Sequence, residues 1–174
     1  VSTVTHILEN YPKESLDVLM NLIDSHDTAR ALTALSGIKP PFSRAYRANF
    51  WLNSEQYALA KRRLKLASTL QYVLPGVPCV FYGDEAGVQG YEDPLNRVTY
   101  PWGREDEELL SHYRALGAFR EKYADYLTGE THFVNDNDAL IIERKCEKGK
   151  MRLVCNNLTA CVFVNDERVL TINA

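Results

Sequence analysis

The sequence offers no metal-site spacing. Its four cysteines, Cys79, Cys146, Cys155 and Cys161, contain no CxxC pair, and the one histidine near them, His132, stands alone. That excludes the usual zinc patterns and leaves free thiols, which suit a reducing compartment such as the cytoplasm. No metal and no cofactor is expected. Long apolar runs are missing too. None approaches the roughly 20 residues that span a bilayer, so no membrane partner is expected. There is also no basic field: the formal net charge is −3, and no Lys/Arg cluster is interleaved with aromatics. Nucleic acid is therefore not an expected partner. No signal-peptide pattern stands at Val1. The chain opens without Met and inside a helical repeat of Val4, Ile7 and Leu8. It is expected to be a piece of a longer protein, with an N-terminal part missing.

What is present suits a packed domain. The 174 residues are 45% hydrophobic and 25% charged, enough for one domain or one and a part. The organising stretch is LMNLIDSHDTAR, residues 19–30. Residues 18–23 form an almost continuous apolar run, the pattern of a strand covered on both faces. Polarity then enters at once with Asp24, Ser25, His26, Asp27 and Thr28. Clusters of this kind at the carboxyl end of a parallel strand are where α/β enzymes place their sites. Ser25 to Thr28 could equally cap the next helix, since Ser, Asp and Thr are good N-caps.

A short helix follows to Leu35, stopped by Gly37. The irregular segment 39–53 carries Phe42, Tyr46, Phe50 and Trp51, either satellite core or a surface on which sugar rings stack. Residues 54–74 read as a long helix with Ser54 as its cap and a stripe of Leu59, Leu66, Leu70 and Val73, widened by Ala60, Leu64 and Ala67. Lys61, Arg62, Arg63 and Lys65 read as its solvated face. Residues 77–82 (VPCVFY) form a second short strand, again ending in a polar burst at Gly83, Asp84 and Glu85. Strand, helix and strand suit a parallel crossover. A Gly-, Pro- and Tyr-rich loop runs from 86 to 103, and an acidic-fronted helix from 105 to 126. From Thr131 the period changes to two. Five short strands are expected, separated by the turns at 135–138, 147–149, 156–157 and 165–166. The expected boundary falls near Gly129, giving segments 1–128 and 129–174.

These stretches together resemble a known family. LMNLIDSHDT (19–28) resembles the seventh-strand motif of the α-amylase family of retaining glycoside hydrolases, and GVPCVFYGDE (76–85) its eighth-strand motif. DPLNRVTYPW (93–102) resembles the loop that follows in the neopullulanase and cyclomaltodextrinase branch. The resemblance implies an α/β plus all-β fold: the last two units of a TIM (β/α)8 barrel in 1–128, then a small antiparallel β-sandwich in 129–174. It implies an α-glucan or maltooligosaccharide substrate, cleaved or transferred at α-1,4 or α-1,6 bonds. Asp27 matches the third catalytic carboxylate, His26 a donor to a hydroxyl of the same sugar, and Asp93 with Arg97 the pair that contacts a nearby sugar. Trp102, Tyr91 and Tyr82 are candidate stacking rings. The YGDE segment looks structural.

A retaining glycosidase also needs a nucleophile and an acid/base about 5–5.5 Å apart. In the family these follow the fourth and fifth barrel strands, and nothing in this sequence replaces them. The fragment alone is expected to be inactive and, with open strand edges, to self-associate. The alternative is a non-catalytic relative that serves as a carbohydrate-binding or structural protein.

Overall fold

The computed structural model describes residues 2–39, 43–136 and 139–173. Phe42, with Pro40 and Pro41 before it, and the Asn137-Asp138 part of the first β turn lie outside the described residues. In chain order, α1 (Ser2–Asn10) and α2 (Lys13–Leu16) lead into β1 (Met20–Leu22), and α3 (Ala31–Leu35), α4 (Arg44–Ala48) and the long α5 (Ser54–Val73) follow. Then come β2 (Val77–Cys79), α6 (Glu107–Lys122) and α7 (Ala124–Leu127). The chain closes with β3 (Glu130–Asp136), β4 (Ala139–Cys146), β5 (Gly149–Cys155), β6 (Thr159–Val164) and β7 (Glu167–Asn173). These elements divide into two compact units. One comprises Val1–Asn21, Thr69–Pro78 and Leu116–Ala174; the other, Leu22–Ser68 and Cys79–Ala115.

β1 and β2 pair in a two-stranded sheet. Both are shorter than the apolar runs suggest, and the first run is not buried: Val18 is 71% exposed, and Met20 and Leu22 are exposed as well. A sheet of two strands cannot cover both of its own faces, so the apolar residues stay in contact with solvent. The second run leaves extended geometry after Cys79 and enters a turn. Gly83, at φ +90°, permits that turn, in which Asp84 N donates to Phe81 O and Val88 N to Gly83 O.

The long helix starts as a capping box one residue earlier than expected. Asn53 Oδ1 accepts from Gln56 N (2.9 Å) while Gln56 Oε1 accepts from Asn53 N (3.0 Å), so Asn53 rather than Ser54 is the cap. The buried face of α5 also departs from the apolar stripe. Ala60, Leu64 and Val73 are buried, but so are Ser68, Thr69 and Gln71, while Leu59 and Leu70 are half-buried. Polar groups are tolerated there because they are bonded: Ser68 Oγ donates to Leu64 O (2.8 Å), and Gln71 Nε2 donates to Asn21 O (2.7 Å). Lys61 and Lys65 are not a free solvated face either. They pair with Asp106 and Glu108.

Asp106 sets the start of α6. Its Oδ1 accepts from Glu108 N and Leu109 N (3.1 Å each), so the helix begins at Glu107 and not at 105. It ends at Lys122. Tyr123 steps out of helical geometry (φ −112°, ψ 25°), and α7 follows as a separate turn. That break lets Tyr126 donate from its hydroxyl to Lys148 O, and Lys148 pairs with Asp125.

β3 to β7 form one antiparallel sheet in sequence order. The expected sandwich is therefore a single-sheet meander. Each strand pairs antiparallel with the next, and among the described residues none crosses to a second layer. Alternation places Ile142, Leu153 and Val162 in register, and all three are buried. The Asn165-Asp166 turn takes positive φ at both residues (49° and 67°), the geometry expected of a two-residue hairpin. The core of the other unit gathers Ala31, Leu32, Leu52, Ala60, Leu64 and Leu109.

Candidate functional site

The polar burst after β1 splits into two jobs. Asp24 is buried, and its Oδ2 accepts from Ala31 N (2.7 Å), the first amide of α3. The helix-capping role therefore belongs to Asp24. Residues 25–28 close on themselves instead: Thr28 N donates to Ser25 O (3.3 Å), Ser25 N to Thr28 Oγ1 (3.0 Å) and Asp27 N to Ser25 Oγ (3.3 Å). That turn leaves the Asp27 carboxylate uncommitted to backbone, with its side chain 72% exposed.

The four residues singled out by sequence stand together. Asp27 Oδ1 lies 3.3 Å from His26 Nε2 and 3.9 Å from Arg97 Nη2. Arg97 Nε in turn reaches Asp93 Oδ1 at 2.6 Å. One guanidinium thus serves two carboxylates, with an imidazole beside them. Such an array presents donors and acceptors at fixed spacing, the requirement for gripping paired hydroxyls.

Beneath the cluster lies a buried layer that sequence reasoning missed. Arg30 is 0% exposed, its Nε donates to Asn96 O (2.7 Å) and its Nη1 to Tyr82 O (2.5 Å). Its guanidinium lies 4.2 Å from the centre of the Phe81 ring and 4.4 Å from that of Tyr82. Asn96, also fully buried, donates from Nδ2 to His26 O and Thr28 O (2.7 Å each). Arg30 and Asn96 therefore stitch the 25–28 turn, the end of the second strand and the DPLNR loop into one platform. Arg30 N donates to Gly90 O (2.9 Å), and Gly90 N to Thr33 Oγ1 (2.9 Å). A Cβ at Gly90 would stand 2.4 Å from Leu95 O, so only glycine fits that approach. The one sequence signal was position: Arg30 follows His-Asp-Thr by two residues, and Asn96 sits inside the DPLNR motif.

Asp84 completes the layer. It lies 3.8 Å from Arg30 Nη1 and is buried. Burial, with the Asp24 carboxylate hydrogen-bonded beside it, holds Asp84 well above the usual carboxylate range; Arg30 opposes the shift without cancelling it. Asp84 and Arg30 thus form the buried charged centre of the layer, with Asp24 beside them. Glu85 turns back to accept from Gly83 N (2.9 Å). Asp84 and Glu85 sit in a turn.

The aromatic candidates separate. Tyr91 is buried against Phe50, with ring centroids 5.9 Å apart, so it is core and not a stacking surface. Tyr82 is exposed at its edge, with its hydroxyl donating to Val98 O (2.8 Å). Trp102 is exposed beside Tyr100. Among the described residues no three His, Cys, Asp or Glu side chains converge as a metal site, and no helix is long and apolar enough to cross a membrane.

No family model matches the sequence. The chain is 39% identical over 148 residues to an amylopullulanase of Thermoanaerobacter thermohydrosulfuricus, a match covering 83% of the chain and 9% of that protein. It is 30% identical over 155 residues to a cyclomaltodextrinase of a Bacillus species, covering 86% of the chain and 24% of the relative. Among solved structures, the type III pullulan hydrolase from Thermococcus kodakarensis superposes with a TM-score of 0.67 at 30% identity, over 85% of this chain and 24% of that one. The chain thus spans a quarter or less of the length of these relatives. With LMNLIDSHDT and DPLNR brought together as one cluster, and with these relatives, the chain belongs to the α-amylase family of glycoside hydrolases.

Proposed function

We propose that this chain supplies the part of a retaining α-glucan hydrolase or transglycosylase that steadies charge and grips substrate, while the bond-breaking carboxylates come from elsewhere in the protein. The observation that carries this is the freedom of Asp27. It is not the helix cap, and it faces solvent between His26 and Arg97. In a retaining reaction the transition state is oxocarbenium-like, and contacts to the sugar's hydroxyls strengthen as charge develops. Asp27 accepts from those hydroxyls and offsets the charge. His26 donates to the same ring. Asp93 and Arg97 hold a neighbouring sugar. In this reading residues 1–128 are the last two units of a (β/α)8 barrel and 129–174 its C-terminal β domain. The nucleophile and acid/base are outside these 174 residues, so the chain by itself leaves maltooligosaccharides uncut. The unpaired edges of β1 and β2 are where it meets the rest of the protein or, when isolated, a second copy.

The test uses the enzyme that contains this chain. Asp27→Asn lowers kcat by about 10³-fold or more while KM moves only a few-fold, because the contact tightens in the transition state. His26→Ala has a milder effect. Near-normal kcat in Asp27→Asn would overturn the assignment.

A further inference from the structure

We infer that the unit holding the Asp27 cluster carries a second saccharide-binding cleft, built around Trp51. The aromatic segment before α5 is the feature that the cluster does not use. Trp51 is 62% exposed, unlike Phe50 beside it, which packs on buried Tyr91. The indole lines a cleft of about 580 Å³, together with Gln89, Val98, Thr99, Arg104 and Glu105. Volumes of roughly 300–1,000 Å³ are usual for small-ligand sites. None of His26, Asp27, Asp93 or Arg97 lines this cleft, so it is a separate place on the same unit.

Its chemistry fits a pyranose better than an apolar ligand or an ion. Exposed Trp51 offers a flat face for the C–H side of a sugar ring. Around it apolar and polar groups alternate, which suits a ligand with apolar faces and a hydroxyl rim. The polar groups are also available. Gln89 Oε1 is fixed by accepting from Leu52 N (3.0 Å), and its N–H donors have no acceptor among the described residues. Arg104 is exposed and makes no side-chain hydrogen bond or ion pair among the described residues. Arg104 and Glu105, a donor fork next to an acceptor, match adjacent hydroxyls. One end of the cleft is rigid, because Tyr57 donates its hydroxyl to Asp106 (2.8 Å) and Lys61 pairs with the same carboxylate (3.1 Å). The stiff backbone entry at Gly87 helps: φ is +77°, and a Cβ there would stand 2.2 Å from the Tyr57 hydroxyl. The choice of an α-glucan as the sugar rests on the proposed function; the cleft's taste for a saccharide does not.

The experiment follows Trp51 directly. With Trp102→Phe, Trp51 is the one remaining indole in the full chain. Titration with maltoheptaose gives a saturable change in its emission. Arg104→Ala, a surface change that spares the fold, weakens that binding about tenfold, a shift of one decade in Kd. Asp27→Ala leaves the titration unchanged. Absence of any saturable change in a chain with native circular dichroism overturns the proposal. So does abolition of the response by Asp27→Ala, which would place the sugar in the Asp27 cluster. Failure here leaves the kcat test of Asp27 untouched, and failure of that test leaves the Trp51 titration untouched.

Discussion

Among the described residues two arginines, Arg30 and Arg144, are fully buried, and they are buried for different reasons. Arg30 meets the Asp84 carboxyl group, two aromatic faces and two carbonyls. Arg144, in β4, meets carbonyls: Nη1 donates to Val73 O (3.3 Å) and Nη2 to Leu127 O. Val73 is the last residue of α5, where orphan carbonyls and the negative end of the helix dipole welcome a cation. Burial pushes the Arg144 guanidinium down to about 10, which still leaves it charged at neutral pH. Arg120 serves the same helix end, donating to Tyr72 O and Gly76 O. Around Arg30 a buried cation organises a platform for exposed chemistry. Around Arg144 and Arg120 cations fasten a helix end. The first interior contains a titratable partner, Asp84; the second holds its charge on carbonyls, which do not titrate.

The largest effect should come from breaking the charged layer. Arg30→Met removes the buried cation beside Asp84 and strands the carbonyls of Asn96 and Tyr82, a loss of about 3–5 kcal/mol. Urea unfolding measures it. In the enzyme that contains this chain, the same change should also lower kcat, since Asn96 loses the partner that holds the 25–28 turn. A loss under about 1 kcal/mol would mean that the layer is not held by its charge.

The next effect is titration. His112 is buried, and its Nε2 lies 2.9 Å from Ser68 Oγ. Burial, aided by the charge on Lys65, pushes its pKa down to about 4. A depressed folded value means that the stabilisation is present in full above the unfolded value near 6.5 and is lost as pH falls through about 4. The loss is on the order of 3 kcal/mol, and His112→Gln should remove it. Asp84 works in the opposite direction. Its folded value is raised, so its contribution is complete below the ordinary carboxylate range and declines as pH rises toward the folded value; Asp84→Asn should flatten that alkaline limb. Hydrogen exchange should place both limbs in residues 22–68 and 79–115, not in the β meander. Equal protection changes in both units would break the comparison.

The smallest effect belongs to Arg144. Arg144→Met keeps an apolar stem but leaves two carbonyls without this donor, which costs about 1–2 kcal/mol in thermal or urea unfolding. A loss as large as that of Arg30→Met would mean that the two burials are energetically alike.

Much of this protein was legible in its residues. Period-two alternation from Thr131, with Asn, Asp and Gly at the turns, marked five antiparallel strands, because strands and turns depend on local pattern and turn chemistry, while their arrangement in one sheet rather than two came from the fold. The resemblance of residues 19–28 and 93–102 to family motifs pointed to His26, Asp27, Asp93 and Arg97, and the fold brings these four side chains together. Other features depend on partners far away in sequence. The apolar runs at 18–23 and 77–82 look buried, but burial needs a neighbour, and a two-stranded sheet has too few. The apolar stripe on α5 misjudged Ser68, Thr69 and Gln71, whose burial depends on bonding partners such as Asn21 and His112. Residue type by itself could not divide the work between Asp24 and Asp27: both are acids ahead of a helix. Only the fold gives Ala31 N to Asp24 and leaves Asp27 free, because a capping bond is decided by angstroms of backbone path and not by residue type. Nothing in the sequence marks Arg30 as buried. The tertiary structure buries it, since only packing could bring Tyr82, Asp84 and Asn96 around a single guanidinium.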